Sequence, residues 1–154
     1  MKAESSNKEM MEQVILTEIR HKAIHLLSLR EHSRKELQQK LLLRGYAPSD
    51  VFAVLDELVV KDLQSDERFV ESYIHSRSSK GYGPERIRLE LQQRGVSESV
   101  IDVAVTSAEI NWQAFAQKAY QKKFGETVPK GFQEKIKRQR FMQYRGFDIF
   151  IKLE

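Results

Sequence analysis

Apolar residues recur along this chain at intervals of three and four, the spacing of a helix that buries one face. Ile15, Ile19, Ala23, Leu26 and Leu27 keep that spacing through a first segment from about Met11 to Arg30. Ser33 follows, with Glu36 three residues on. That pair makes a capping box, so a second helix starts there and turns Leu37, Leu41 and Leu42 inward. Gly45 stops it, because a left-handed residue at a helix end costs little only without a Cβ. Pro48 and Ser49 open a third helix, with Val51, Leu55, Leu58 and Val59 facing the interior. The one run that could suggest a strand, Leu58-Val59-Val60, lies inside this helical pattern.

The same plan then returns. Ser65 or Asp66 caps a helix carrying Phe69, Val70, Tyr73 and Ile74. Lys80-Gly81-Tyr82-Gly83-Pro84 breaks the chain, with Pro84 suited to a first helical turn. Ile87 and Leu91 follow, then a stop at Gly95, and Ser97 caps a helix with Val100, Ile101, Ala104 and Val105. A third unit opens at Asn111-Trp112 and aligns Phe115, Ala116, Ala119 and Tyr120. A break from Gly125 to Gly131 leads to a basic helix from about Phe132 to Gly146. Arg44-Gly45-Tyr46, Arg94-Gly95-Val96 and Arg145-Gly146-Phe147 mark the period, with glycines 50 (45 to 95) and 51 (95 to 146) residues apart. Leu41, Leu91 and Met142 each stand four residues before the glycine.

A fixed interval of this size means one supersecondary unit used in tandem, and such arrays are elongated. The predicted fold is all-α, with units over 11–63, 64–110 and 111–154 after a disordered segment 1–10. The third unit is incomplete. Its last helix has only Asp148 to Glu154 available, so the array reads as truncated there, with Leu153-Glu154 as a cloning remnant.

Composition narrows the function. Apolar content of 40% against 31% charged is lean for one spherical core and suits a thin modular body. With no cysteine, disulfides and thiolate zinc sites are excluded, and a reducing cytoplasm is compatible. No apolar stretch is long enough to span a bilayer, and the polar start lacks a signal-peptide core. Charge is uneven. From Trp112 to Phe147 nine Lys/Arg face two Glu, a local +7 in a chain of net +4. Such an end suits an anionic partner or forms a solvated face.

The residues of the repeat also resemble a known family. Arg77-Ser78-Ser79-Lys80-Gly81-Tyr82-Gly83-Pro84-Glu85-Arg86-Ile87-Arg88-Leu89-Glu90-Leu91 is similar to the central signature of RecX, the bacterial regulator of the RecA recombinase. Arg30-Glu31-His32-Ser33-Arg34-Lys35-Glu36-Leu37, with Leu41 and Arg44-Gly45-Tyr46, resembles the family as well. So do Asp66-Glu67-Arg68-Phe69, Lys122-Lys123-Phe124-Gly125 and Arg145-Gly146-Phe147, although Ser65 stands where the family often has Asp. The likeness covers roughly residues 14–147. It implies three tandem three-helix repeats in an elongated, curved array. It implies a cytoplasmic, monomeric, non-enzymatic regulator in DNA repair, recombination and the SOS response. Its partner would be the RecA–single-stranded DNA filament, whose recombinase, ATPase and coprotease activities it mainly inhibits. The rival reading is a helical protein that binds single- or double-stranded DNA directly, by helix-turn-helix units.

Candidate chemistry is sparse. His21 and His25 share a helical face one turn from Glu18, but Lys22 stands where a catalytic zinc helix needs Glu, so no metal or other cofactor is expected. Gly81-x-Gly83 lacks a preceding strand and a third glycine, which makes it a turn rather than a phosphate loop. No nucleophile–base set is legible, so no enzyme is expected. Arg86 and Arg88 diverge by ~160° on a helix, so one could bind while the other pairs with Glu90. The arginines before the glycines suit the negative helix end. Lys135, Lys137, Arg138 and Arg140 interleave with Phe132, Phe141 and Tyr144, a mixture suited to phosphates or an acidic groove, with Phe141 read as core. The expected contact set is Arg77, Lys80, Arg86, Arg88, Lys118, Lys122, Lys123, Lys137, Arg138 and Arg140.

Overall fold

A computed structural model describes residues 1–107 and 109–148. The described residues form eight helices and no strand: α1 (Lys2–Leu29), α2 (Arg34–Leu43), α3 (Pro48–Val60), α4 (Asp66–Ser79), α5 (Pro84–Gln93), α6 (Glu98–Val105), α7 (Trp112–Phe124) and α8 (Gly131–Arg145). The expected short helix after Asp148 lies outside the described residues. Two compact units divide the chain, Met1–Phe69 and a second from Val70 onward.

In the first unit, Ile19 and Ala23 of α1 meet Leu37 and Leu41 of α2 and Val51, Val54, Leu55 and Leu58 of α3, all buried. Local chemistry sets the ends. Ser33 Oγ accepts from Glu36 N at 3.1 Å, and Glu36 Oε1 accepts from Ser33 N at 3.5 Å, which completes the capping box. Asp66 Oδ1 accepts a further α2 amide, Arg34 N, at 2.9 Å. Gly45 takes φ +91° and Pro48 opens α3.

Three expectations need correction in these elements. The segment 1–10 is helical: α1 starts at Lys2, although residues 1–14 are all exposed. No Gly or Pro interrupts Lys2–Leu29, and good helix formers such as Ala3, Glu4, Lys8 and Glu9 carry the helix without packing. Val59 is exposed rather than inward, because Val54 joins Val51, Leu55 and Leu58 on the buried stripe instead. Ser97 occupies the cap of α6 but makes no side-chain cap bond; its hydroxyl lies 3.3 Å from that of Ser99.

The second unit buries Val70, Ile74, Ile87, Leu91, Val96, Ile101 and Val105, then Trp112, Ala116, Met142 and Phe147. The Trp112 indole N–H donates to Val105 O at 2.9 Å, tying the start of α7 to the end of α6. Asn111 caps α7 through Ala114 N at 3.0 Å. Gly146 ends α8 in the left-handed region at φ +94°.

Candidate partner-binding surface

The arginines of the expected contact set divide sharply by environment. Around Glu90 of α5, the carboxylate accepts from Arg77 Nε at 2.9 Å and Nη2 at 2.8 Å, and from Arg86 Nε at 3.1 Å. The Tyr73 hydroxyl donates to the same carboxylate. Burial pushes Glu90 up, and the bonds from Arg77, Tyr73 and Arg86 more than reverse this, so its carboxyl lies below its ordinary value. Burial and then Glu90 push the Tyr73 phenol up to about 12. The Tyr82 ring sits among three guanidinium groups, Arg77 at 3.8 Å, Arg86 at 4.6 Å and Arg145 at 4.7 Å. Arg77 therefore braces α4 against α5, Arg86 pairs with Glu90 along α5 itself, and Arg88 pairs with Asp102 of α6.

Arg138 goes further inward. It is buried, at 3% exposure. Its guanidinium donates to Tyr120 Oη at 2.8 Å, Thr127 O at 2.6 Å, Thr127 Oγ1 at 3.0 Å and Glu134 Oε1 at 2.7 Å. It also lies 4.9 Å from the Phe124 ring. One side chain thus pins the α7–α8 connection. The i,i+4 spacing of Glu134 and Arg138, like that of Arg86 and Glu90, is the signal in the sequence that points to internal pairing.

The other members of the set remain outside. Lys80, Lys118, Lys122, Lys123, Lys137 and Arg140 are exposed, as are Lys130 and Lys135, which the contact set omitted. Of the interleaved aromatics, Phe141 is half-buried and packs edge-on against Phe124 at 5.2 Å. Phe132 and Tyr144 are exposed. The cationic surface of the second unit is thus mainly lysine, spread over α7, the following connection and α8. Lysines are flexible, strongly hydrated charges suited to anion attraction rather than planar, bidentate recognition.

Gly81-x-Gly83 serves as a docking point rather than a phosphate loop. Gly83 N donates to Arg145 O at 2.6 Å and Glu85 N donates to Gly146 O at 3.1 Å. Arg86 Nη1 reaches Tyr144 O at 3.1 Å, and Arg145 Nη1 reaches Lys80 O at 3.3 Å. The end of α8 is thereby joined to the break between α4 and α5. His21 and His25 are both exposed on α1, and among the described residues no group of three His, Cys, Asp or Glu could hold a metal ion. Among the described residues no helix is long and apolar enough to cross a membrane.

Fold and surface define an all-α protein of three tandem three-helix repeats with an exposed cationic end. Family models named for the first, second and third three-helix domains of RecX match residues 20–58, 65–105 and 114–149. A protein named Regulatory protein RecX from Halorhodospira halophila is 43% identical over 129 residues, 84% of this chain and 80% of the relative. Namesakes from Pseudomonas syringae pv. tomato (41% identity, 85% of this chain and 84% of the relative) and Cronobacter sakazakii (40%, 82% of each) are similar over comparable lengths. Two crystal structures share the fold. One of a regulatory protein RecX has a TM-score of 0.78 at 22% identity, covering 94% of this chain and 72% of that one. The other, RecX from Lactobacillus salivarius, has a TM-score of 0.73 at 19% identity, covering 88% and 90%. This chain belongs to the RecX family.

Proposed function

We propose that this chain is a cytoplasmic regulator that binds the RecA–single-stranded DNA filament and restrains its recombinase, ATPase and coprotease activities without catalysis of its own. The observation that carries the reading is the exposed lysine-rich surface of α7 and α8, on a chain whose relatives are named regulatory proteins. Lys118, Lys122, Lys123, Lys137 and Arg140 meet the filament's acidic protein surface and phosphates, with Lys130, Lys135 and Lys80 extending the contact. Arg77, Arg86, Arg88 and Arg138 hold these elements in place and contribute through them. Binding of this kind weakens with salt as counterions compete.

The test titrates the protein into a RecA ATPase assay on single-stranded DNA. Reversal of Lys118, Lys122, Lys135 and Lys137 to Glu removes the inhibition; inhibition that survives reversal reduces the surface to solvated charge. Affinities for bare single strand, bare duplex and RecA-coated strand are compared at one salt concentration. Equal or tighter binding to bare DNA replaces the filament reading with direct DNA binding.

A further inference from the structure

We propose that the junction of Gly83 and Gly146 is a positioning device: a helix cap shared by two repeats, which holds the basic side chains of the second and third repeats in one register. It rests on the functional reading above, since those side chains are the ones assigned to the partner.

Helix α5 begins without a side-chain cap. Its N-cap is Gly83 and its first residue, Pro84, has no N–H to satisfy. The amides of Gly83, Glu85 and Arg86 precede the first intrahelical bond, from Ile87 N to Gly83 O, and a helix start leaves such donors orphaned. The end of α8 has the opposite lack, carbonyls with no intrahelical partner. Arg145 O and Gly146 O accept from two of these donors, Gly83 N and Glu85 N, and the negative end of one helix meets the positive end of the other. By contrast, α2 carries its own side-chain cap in Ser33, to which Asp66, at the start of α4, adds a bond from Arg34 N. Helix α5, with no side-chain cap, takes both bonds from the backbone of a segment some 60 residues later, on the separation of Gly83 and Arg145.

This approach needs two residues without side chains. A Cβ on Gly83 would lie 2.6 Å from the Gly146 carbonyl carbon and 2.6 Å from Phe147 Cδ1. A Cβ on Gly146 would lie 2.5 Å from Arg86 N and 2.6 Å from Arg86 Cβ. Around this backbone contact, Arg86 bonds Tyr144 O and its guanidinium covers the Tyr144 ring at 4.5 Å. Arg145 bonds Lys80 O from the other side. Lys80, just past the end of α4, and Lys137 and Arg140, on α8, are therefore fixed relative to one another. Charges held in one register engage an extended partner together, and the second contact then forms at high effective concentration. With the junction open, each group binds separately.

The two glycines separate clash from strain. Gly83 has φ −98°, which any residue adopts, so Gly83→Ala introduces only the collision. Gly45 has φ +91° with nothing within 4 Å of an added Cβ, so Gly45→Ala introduces only the strain of a helix end. The full chain and both variants are compared by circular dichroism, by amide exchange at Glu85 and by the salt dependence of binding to RecA-coated single strand. Gly83→Ala keeps its helix content, exchanges the Glu85 amide on the order of tenfold faster, as loss of one bond implies, and binds with lower affinity and a shallower salt slope. Gly45→Ala keeps the Glu85 exchange rate and the slope. Arg145→Gln, which leaves the backbone contact unobstructed, keeps its helix content, moves the Glu85 exchange rate, the affinity and the salt slope in the same direction by less, and serves if Gly83→Ala loses its fold. Faster exchange at Glu85 with wild-type affinity and slope overturns the positioning role. Unchanged exchange in Gly83→Ala overturns the shared cap itself. A wild-type chain that fails to bind the coated strand overturns the functional reading and the positioning role, while leaving the shared cap to stand on the exchange data.

Discussion

Truncating Phe147 tests how much the second unit depends on the segment that follows α8. Its side chain is fully buried, at 0% exposure, beside the glycine junction, and its amide closes the end of α8 by donating to Met142 O at 3.0 Å. Phe147→Ala removes a large aromatic from a site whose neighbours cannot collapse onto it, since the adjoining wall is backbone at Gly83. The loss is that of a buried Phe, about 3–5 kcal/mol. With a urea slope of about 2 kcal/mol per molar for a chain of this size, the midpoint falls by about 1.5–2.5 M. Trp112 provides the assay. It is the chain's one tryptophan and is nearly buried, with its indole bonded to Val105 O, so its fluorescence follows the second unit while circular dichroism follows all helices. The variant shifts the fluorescence transition by the full amount and leaves a later portion of the circular dichroism transition, from residues 1–69, in place. A fluorescence shift below about 0.5 M would refute the claim that Phe147 is an integral part of that core.

Two further outcomes follow from the first unit. Ser33→Ala, which deletes one half of the capping box, lowers stability by about 1 kcal/mol in urea unfolding; an unchanged midpoint means Asp66 alone supports the start of α2. His32 is buried, with Nδ1 donating to Arg30 O at 3.0 Å and Nε2 accepting from the Lys40 ammonium at 2.9 Å. Burial first, then the positive charges of Arg30 and Lys40, set against the Arg30 carbonyl and Glu36, hold its imidazole below the ordinary 6.5. Below that value the unfolded chain takes up a proton that the folded chain resists, so this contribution is intact above pH 6.5 and is lost as pH falls toward the folded value. Urea midpoints at pH 7.5 and 5.5 should therefore differ more for the wild type than for His32→Gln, and equal differences would refute it.

What the sequence disclosed is local. Capping at Ser33, the proline starts at Pro48 and Pro84, and the glycine stops at Gly45 and Gly146 act over one turn, and each took the place expected of it. The contact set was harder to read because a cation's fate depends on distant partners. Arg77 meets Glu90 and Arg88 meets Asp102 only after α4, α5 and α6 pack, and Tyr120 and Thr127 reach Arg138 only across the α7–α8 turn. Only the i,i+4 pairs, Arg86 with Glu90 and Glu134 with Arg138, could be seen along one helix. The glycine junction was invisible for the same reason: Gly83 read as a turn residue, and nothing nearby in sequence shows that another backbone lies against it.

The borrowed cap also bears on the order in which the molecule comes off the ribosome. The buried side chains that build the α1–α3 core all lie within residues 1–69, so that part can close while translation continues. The start of α5 has to wait with bare amides until Arg145 and Gly146 emerge. Growth of the polypeptide thus delays completion of its middle repeat until the end of α8 has been made, and a stalled nascent chain ending before Arg145 would present a finished head followed by a frayed α5.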